Sequence, residues 1–301
     1  MLGKIMVVAT MLVIPIAAAA DNAKPQVNLS ASDIVSKNVT ARGGLQAWRS
    51  VKAMKWEGKM GAGGNQRAPI PTPAPGKKGM KLPTDPRPKD EVQLPFVMEM
   101  ERPRKVHYEL QFRGQTAVQT YDGVNGWKLR PYLNRLEVEP FTPEELKASS
   151  QQFELDGPLV DYVAKGTRIE LEGTEKVESR DAYKLKLTMK DGHTVHVWID
   201  AGTYLESKIE GQPRRLDGIE HPVEVYYSDY RPVNGLQIPF VLKTKVLPIT
   251  QAAPLTHAAL STSSSVIPTE RIVLDKVEVN PRLDESHFKK PDAQMASLIR
   301  H

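Results

Sequence analysis

Histidine is the first residue to test for chemistry, because imidazole serves both metal binding and acid–base work, and the chain has seven. Only His193 and His196 stand close together, within a run from Ala182 to Asp200 that reads as a β-hairpin. A spacing of three on a strand sends side chains to opposite faces, so this pair cannot share a metal ion. His107, His221, His257, His287 and His301 are isolated in sequence and read as satisfied or exposed side chains. Ser286-His287-Phe288-Lys289 has the spacing of a serine–lysine acylation motif, and Ser228-Asp229-Tyr230 resembles its companion element. Their order is reversed, however, and no Lys-Thr-Gly follows, so chance accounts for both. No nucleophile elbow, zinc-protease motif, phosphate loop or dinucleotide fingerprint is present. Glu170, Glu172, Glu175 and Glu178 fall on wet strand faces or turns. The sequence points away from an enzyme and implies no metal and no cofactor.

A second set of side chains offers broad apolar contact instead. Trp48, Trp56, Phe96, Met98, Met100, Tyr108, Phe112, Trp127, Tyr132 and Phe141 cluster in the N-terminal half, joined by Leu146 on an expected helix. Flexible methionine and wide aromatic surfaces suit a pocket for acyl chains of variable shape, which makes these the candidate ligand-binding residues. The same residues serve equally well as plain core. The expectation is that most do so and that a subset lines a cavity.

The elements that must position them follow from period-two alternation. In the hairpin, Tyr183, Leu185, Leu187 and Met189 alternate with Lys184, Lys186, Thr188 and Lys190, and Val195, Val197 and Ile199 alternate with His196, Trp198 and Asp200. One face is greasy and one wet. The pattern recurs at Phe96, Met98 and Met100, at Val106 to Phe112, at Val223, Val225 and Tyr227, and at Leu236 to Leu242, giving about ten or eleven strands. Arg113-Gly114, Asp122-Gly123, Asp191-Gly192 and Asn234-Gly235 are short turns of the antiparallel kind, and the spacing leaves no room for helical crossovers. The expected fold is mainly β, one large curved antiparallel sheet, with a few helices as its cover. Ser30 with Asp33 caps a first helix that Gly43-Gly44 breaks or bends. Thr142, Pro143 and Glu145 start a second, running to about Gln152, and Leu155 to Tyr162 adds at most a short turn. So little helix cannot hide so many oily strand faces, so either large side chains fill the bowl or a cavity of at least about 300 Å³ remains for an apolar ligand.

Residues 1–20 read as a secretory signal peptide: Lys4, an apolar run from Ile5 to Ile16, and Ala18-Ala19-Ala20 before the expected cleavage. That run is too short for a membrane anchor, and no later segment is apolar and long enough to span a bilayer as a helix. The chain has no cysteine, so no disulfide and no lipid-bearing thiol is expected. A charge of +5 from 41 basic and 36 acidic residues favours anionic surfaces weakly and names no partner. Export and that modest charge disfavour nucleic acid. Residues 21–301 are expected to form one β domain with two disordered insertions, a basic one rich in proline at about 61–95 and an uncharged one rich in Ser, Thr, Ala and Pro at about 247–269.

Four stretches in this order, "NVTARGGLQAWRSVKAMKWEGKM", "RPRKVHYELQFRGQTAVQTYDGVNGWKLRPY", "DGPLVDYVAKGTRIELEGTEKVESRDAYKLKL" with "PEELK" before it, and "YYSDYRPVNGLQIPFVLKTKV", resemble the LolA/LolB-like periplasmic proteins, and more closely the outer membrane lipoprotein-sorting branch. That resemblance implies a half-open β-barrel closed on one side by helices, whose concave apolar surface holds acyl chains. The absent cysteine departs from an anchored LolB-type receptor. The expected function is a non-enzymatic periplasmic carrier or chaperone for a lipid or acylated lipoprotein, acting as a monomer. The alternative is a sensor on the same scaffold that docks an envelope protein, and a weaker third reading, an outer-membrane barrel, is poorly served by mid-chain helices and long loops.

Overall fold

The computed structural model describes residues 29–61, 92–152, 154–216, 218–248 and 269–291. The expected signal peptide lies outside them, as do residues 62–91 and 249–268 of the two insertions. Thirteen strands form one antiparallel sheet: β1 (Ala53–Gly61), β2 (Gln93–Glu101), β3 (Lys105–Phe112), β4 (Gln115–Tyr121), β5 (Gly126–Arg130), β6 (Arg135–Pro140), β7 (Arg168–Val177), β8 (Arg180–Thr188), β9 (Thr194–Asp200), β10 (Glu206–Leu216), β11 (Ile219–Val233), β12 (Leu236–Val246) and β13 (Thr269–Val279). The order across the sheet is β6-β5-β4-β3-β2-β1-β13-β12-β11-β10-β9-β8-β7. Every neighbour follows in sequence except at one seam, where β1 meets β13. β6 and β7 stay unpaired on their outer sides, so the curved sheet is open. The two strands beyond the expected eleven are β5 and β6. One is five residues long with a buried lysine at its centre, and the other, Arg-Leu-Glu-Val-Glu-Pro, alternates at only two apolar positions, too few to mark a strand.

The helices form where their caps are. Ser30 Oγ accepts the Asp33 amide and the Asp33 carboxylate accepts the Ser30 amide, starting α1 (Ala31–Ala41). Gly43 and Gly44, both at positive φ, separate it from α2 (Leu45–Ser50). Gly43 is obligatory for a second reason: a Cβ there would lie 2.4 Å from the Gly235 carbonyl oxygen. Thr142 and Glu145 cap each other at the start of α3 (Pro143–Ser150). Residues 154–166 run as successive turns rather than as helix.

The oily face of the β8–β9 hairpin is covered by α1 and by the turns that follow Asp156. Leu185, Leu187, Val197 and Ile199 are fully buried against Ile34, Val35 and Leu159. At roughly 2 kcal/mol per side chain removed from water, these four contribute on the order of 8 kcal/mol before chain entropy is charged against them. A second core joins Trp48, Val51 and Met54 to Phe96, Leu236, Ile238, Phe240 and Leu274. On the opposite face of the sheet Trp198 is also buried, its ring lying 3.7 Å beneath the Lys208 ammonium and flanked by Tyr226.

Candidate functional site

The concave face of β1 to β4 presents its side chains in cross-strand rows. Met54, Met100, Val106 and Tyr121 make one row; Trp56, Met98, Tyr108 and Gln119 make the next; Gly58, Phe96, Leu110 and Ala117 the third. Period-two parity alone puts them on one side. Over the first two rows lies a cavity of about 460 Å³, walled by Trp56, Met60, Met98, Met100, Val106 and Tyr108, with Ile272 of β13 on one side and Phe141, Ser149, Gln152 and Leu155 above. This volume is within the usual range for small-molecule sites. Its polar margin holds the bidentate Arg214–Glu270 pair, at 2.5 and 2.6 Å, and the Arg102, Arg104 and Lys105 side chains. Burial, with Glu270 nearby, pushes the Tyr108 hydroxyl up to about 12, so that group stays a neutral donor at the cavity wall.

α3 is held over the trough at both ends. Lys128 points inward beside Gln119 and its ammonium donates to Glu145 at 2.6 Å, while Arg104 donates to the Ser150 carbonyl at 2.8 Å. Phe141 seats against Gly126, where a Cβ would come within 2.1 Å of its ring. Burial raises the Glu145 carboxyl, but the bonds from Lys128 and the Thr142 amide outweigh it and hold the group below the usual glutamate range.

A smaller cavity of about 170 Å³ adjoins the first through Trp56, Glu154 and Leu155. It contains a nearly buried ion pair, Arg42 to Glu206 at 3.1 Å, with Arg42 lying over the Trp48 ring at 4.2 Å. Tyr230 donates to the Glu206 backbone carbonyl at 2.9 Å. Burial pushes the Tyr227 and Tyr230 hydroxyls well above the usual tyrosine range.

Of the eleven candidate residues, Trp56, Met98, Met100, Tyr108 and Phe141 line the larger cavity. Trp48 and Phe96 are core side chains, 1% and 3% exposed. Phe112 and Tyr132 pack edge to face against each other, ring centres 5.7 Å apart, away from the cavity wall. Leu146 is half-buried on α3 and does not reach the lining. Trp127 lies on the opposite face of the sheet, because Gly126 pairs with inward-facing Tyr121 and the next position must point outward. Met60, Val106, Leu155 and Ile272 line the cavity without having been singled out. Val106 and Ile272 were legible from the same alternation that marks Tyr108, whereas Leu155 sits in an irregular turn with no periodic signal.

His257 and His301 lie outside the described residues, and each of the other five histidines is engaged. His193 is paired with Asp191 in a hairpin turn, and His196 sits between Glu172 and Glu210. His107 and His287 stack at 5.0 Å on the outer face, the latter bonded to Glu99 at 2.7 Å. Among the described residues no group of three or more His, Asp or Glu is placed to hold a metal ion, and no helix is long and apolar enough to cross a membrane.

The class the geometry defines is an open antiparallel sheet with an apolar trough on its concave side and a helix fastened over it. No family model matches the chain, and no curated protein sequence matches it. Solved structures do match the fold. A DUF1329 family protein from Desulfovibrio piger has a TM-score of 0.50 at 11% identity, covering 86% of this chain and 97% of its own. A LolA superfamily protein from Nitrosomonas europaea gives 0.48 at 11%, covering 87% and 98%, and an outer membrane lipoprotein-sorting protein domain from Vibrio parahaemolyticus gives 0.47 at 12%, covering 89% and 97%. At these identities the likeness is one of fold alone, and the DUF1329 family structure is the one of the three that reaches a TM-score of 0.50.

Proposed function

We propose that the chain is a non-enzymatic carrier that holds the acyl part of a lipid or lipoprotein in the trough beneath α3, in the periplasm. The observation that supports this reading most is the 460 Å³ cavity walled by Trp56, Met98, Met100, Tyr108 and Ile272, a methionine-rich apolar surface that no side chain among the described residues fills. The lipoprotein-sorting description belongs to the Vibrio parahaemolyticus structure and enters here only as a pointer to the kind of cargo.

The test is titration with a fluorescent fatty acid, together with lipid extraction from protein purified from its expression host. The carrier reading expects one probe bound per chain, and Met98→Trp, which fills the trough, weakens binding at least tenfold without lowering the melting temperature. Protein that carries no lipid and ignores the probe removes the reading.

A further inference from the structure

A second cleft, of about 450 Å³, lies beside the trough and shares Arg104, Gln152 and Glu154 with it. Ser150, Gln151, Gln152, Glu154, Gly157 and Pro158 form one side, and the β8–β9 turn, with Lys190, Asp191 and His193, forms the other. Its charged groups are Arg104, Lys165 and Lys190 against Glu154 and Asp191, with the His193 ring beside them. Both carboxylates are already engaged. Glu154 accepts from Arg102 at 2.8 Å and sits 3.7 Å from Arg104, while Asp191 accepts from the His193 ring and from its backbone amide at 3.2 Å. Lys165 is likewise committed, to Asp156 and the Gly157 carbonyl. The donors left over are those of exposed Lys190, which has no ion-pair partner among the described residues, and the remaining N–H groups of Arg104, only one of which is spent on Ser150. Three cationic side chains, Arg104, Lys165 and Lys190, thus face two carboxylates, an excess of one positive charge, and with the Gln151 and Gln152 amides offering donors and acceptors alike this balance favours a phosphate or carboxylate over a cation or an amine.

We infer that the cargo is an anionic amphiphile: its chain lies in the trough, its ester region passes Arg104 and Gln152, and its phosphate-bearing head rests in the cleft against Lys190 and Arg104. The inference rests on the carrier reading and narrows it from any acylated cargo to one with a net negative head.

The experiment compares two single-chain lipids with the same acyl group, lysophosphatidylglycerol and lysophosphatidylcholine, below their micelle concentrations, by displacement of the fluorescent fatty acid. Glycerol 3-phosphate serves as the head without a chain. The full chain is expected to bind the anionic lipid about tenfold tighter than the zwitterionic one at low salt, with the preference shrinking as ionic strength rises. Lys190→Glu, at an exposed turn outside the trough, should bring the two affinities within twofold of each other by weakening only the anionic lipid. Equal affinities in the unmodified chain, or a preference that survives Lys190→Glu, overturn the head-group assignment and leave the carrier reading standing. Binding of neither lipid overturns both. Glycerol 3-phosphate binding as tightly as lysophosphatidylglycerol shows a free-anion site uncoupled from the trough, and also overturns the inference.

Discussion

Removing the Glu145 carboxylate should loosen α3 over the trough without unfolding the sheet. Glu145 accepts the Thr142 amide at 2.7 Å, completing the cap, and accepts the Lys128 ammonium at 2.6 Å. In Glu145→Ala the lost half of the capping box costs about 0.5–1 kcal/mol. Lys128, only 7% exposed, then loses its partner. Stranding a fully buried charge costs about 3–5 kcal/mol, but Glu145 is 38% exposed and water screens the pair, so about 1.5–2 kcal/mol is the fitting share. Together these come to about 2–3 kcal/mol of local stability, which at about 1.4 kcal/mol per factor of ten is roughly 30- to 150-fold in local opening. The assay is amide hydrogen exchange. The Leu146 and Gln151 amides, bonded to the Thr142 and Lys147 carbonyls, should exchange faster by that factor, while the Leu185 and Val197 amides keep their protection. The pH dependence carries the sign. Because Glu145 is held below its ordinary value of 4.5 in the folded chain, its contribution is complete above that value and is lost as pH falls through the lower folded one. The difference between Glu145→Ala and the parent chain should therefore be flat from about pH 5.5 to 8 and shrink below about pH 4.5. Exchange in α3 within twofold of the parent, or protection lost across the whole sheet, refutes the reasoning.

Gly126→Ala would place a Cβ 2.1 Å from the Phe141 ring, so it should cost about 1–3 kcal/mol by chemical denaturation and weaken fatty-acid probe binding as Phe141 leaves its seat. Leu185→Ala empties a fully buried position under α1 and should cost about 3 kcal/mol with an unchanged denaturant slope; a loss under about 1 kcal/mol would contradict the packing of α1 on the hairpin. Asn280 accepts the Lys52 and Ala53 amides at 2.7 and 3.3 Å and sits at φ 54°. Asn280→Gly keeps that backbone conformation but drops the bonds, and a loss of about 1–3 kcal/mol in thermal melts is expected.

What the sequence revealed was what parity and capping encode. The Tyr183–Met189 and Val195–Ile199 alternation shows which side of the hairpin packs under α1, although Trp198 and Asp200, on the side expected to be wet, are buried too, and Ser30–Asp33 and Thr142–Glu145 mark two helix starts to the residue. Two things were out of reach. β6 is short and mostly exposed, and β5, although three of its five residues are buried, carries Lys128 among them, so neither holds enough regularly spaced apolar positions to be read as a strand. The trough itself depends on which rows are left uncovered, and that is set by contacts far apart in sequence: the Lys128–Glu145 fastening, the turn at Leu155, and Ile272 arriving from β13. Trp127 shows the limit clearly, since its type suits a pocket and only the register of Gly126 against Tyr121 reveals that it faces the other way.

The seam between β1 and β13 has a consequence for how the trough comes into being. Trp56 pairs with Val277 and Met60 with Ile272, partners more than 200 positions apart, and all other ladders join strands adjacent in the chain. Local hairpins can zip on their own, whereas this join must wait for a long excursion to close, which places it among the slow, entropically costly steps. One wall of the trough is built on each side of that join, Trp56 and Met60 on β1, Ile272 and Glu270 on β13. A nascent chain that has made the first twelve of the described strands therefore owns two half-sheets, and the walls of the trough come together only when β13 joins them.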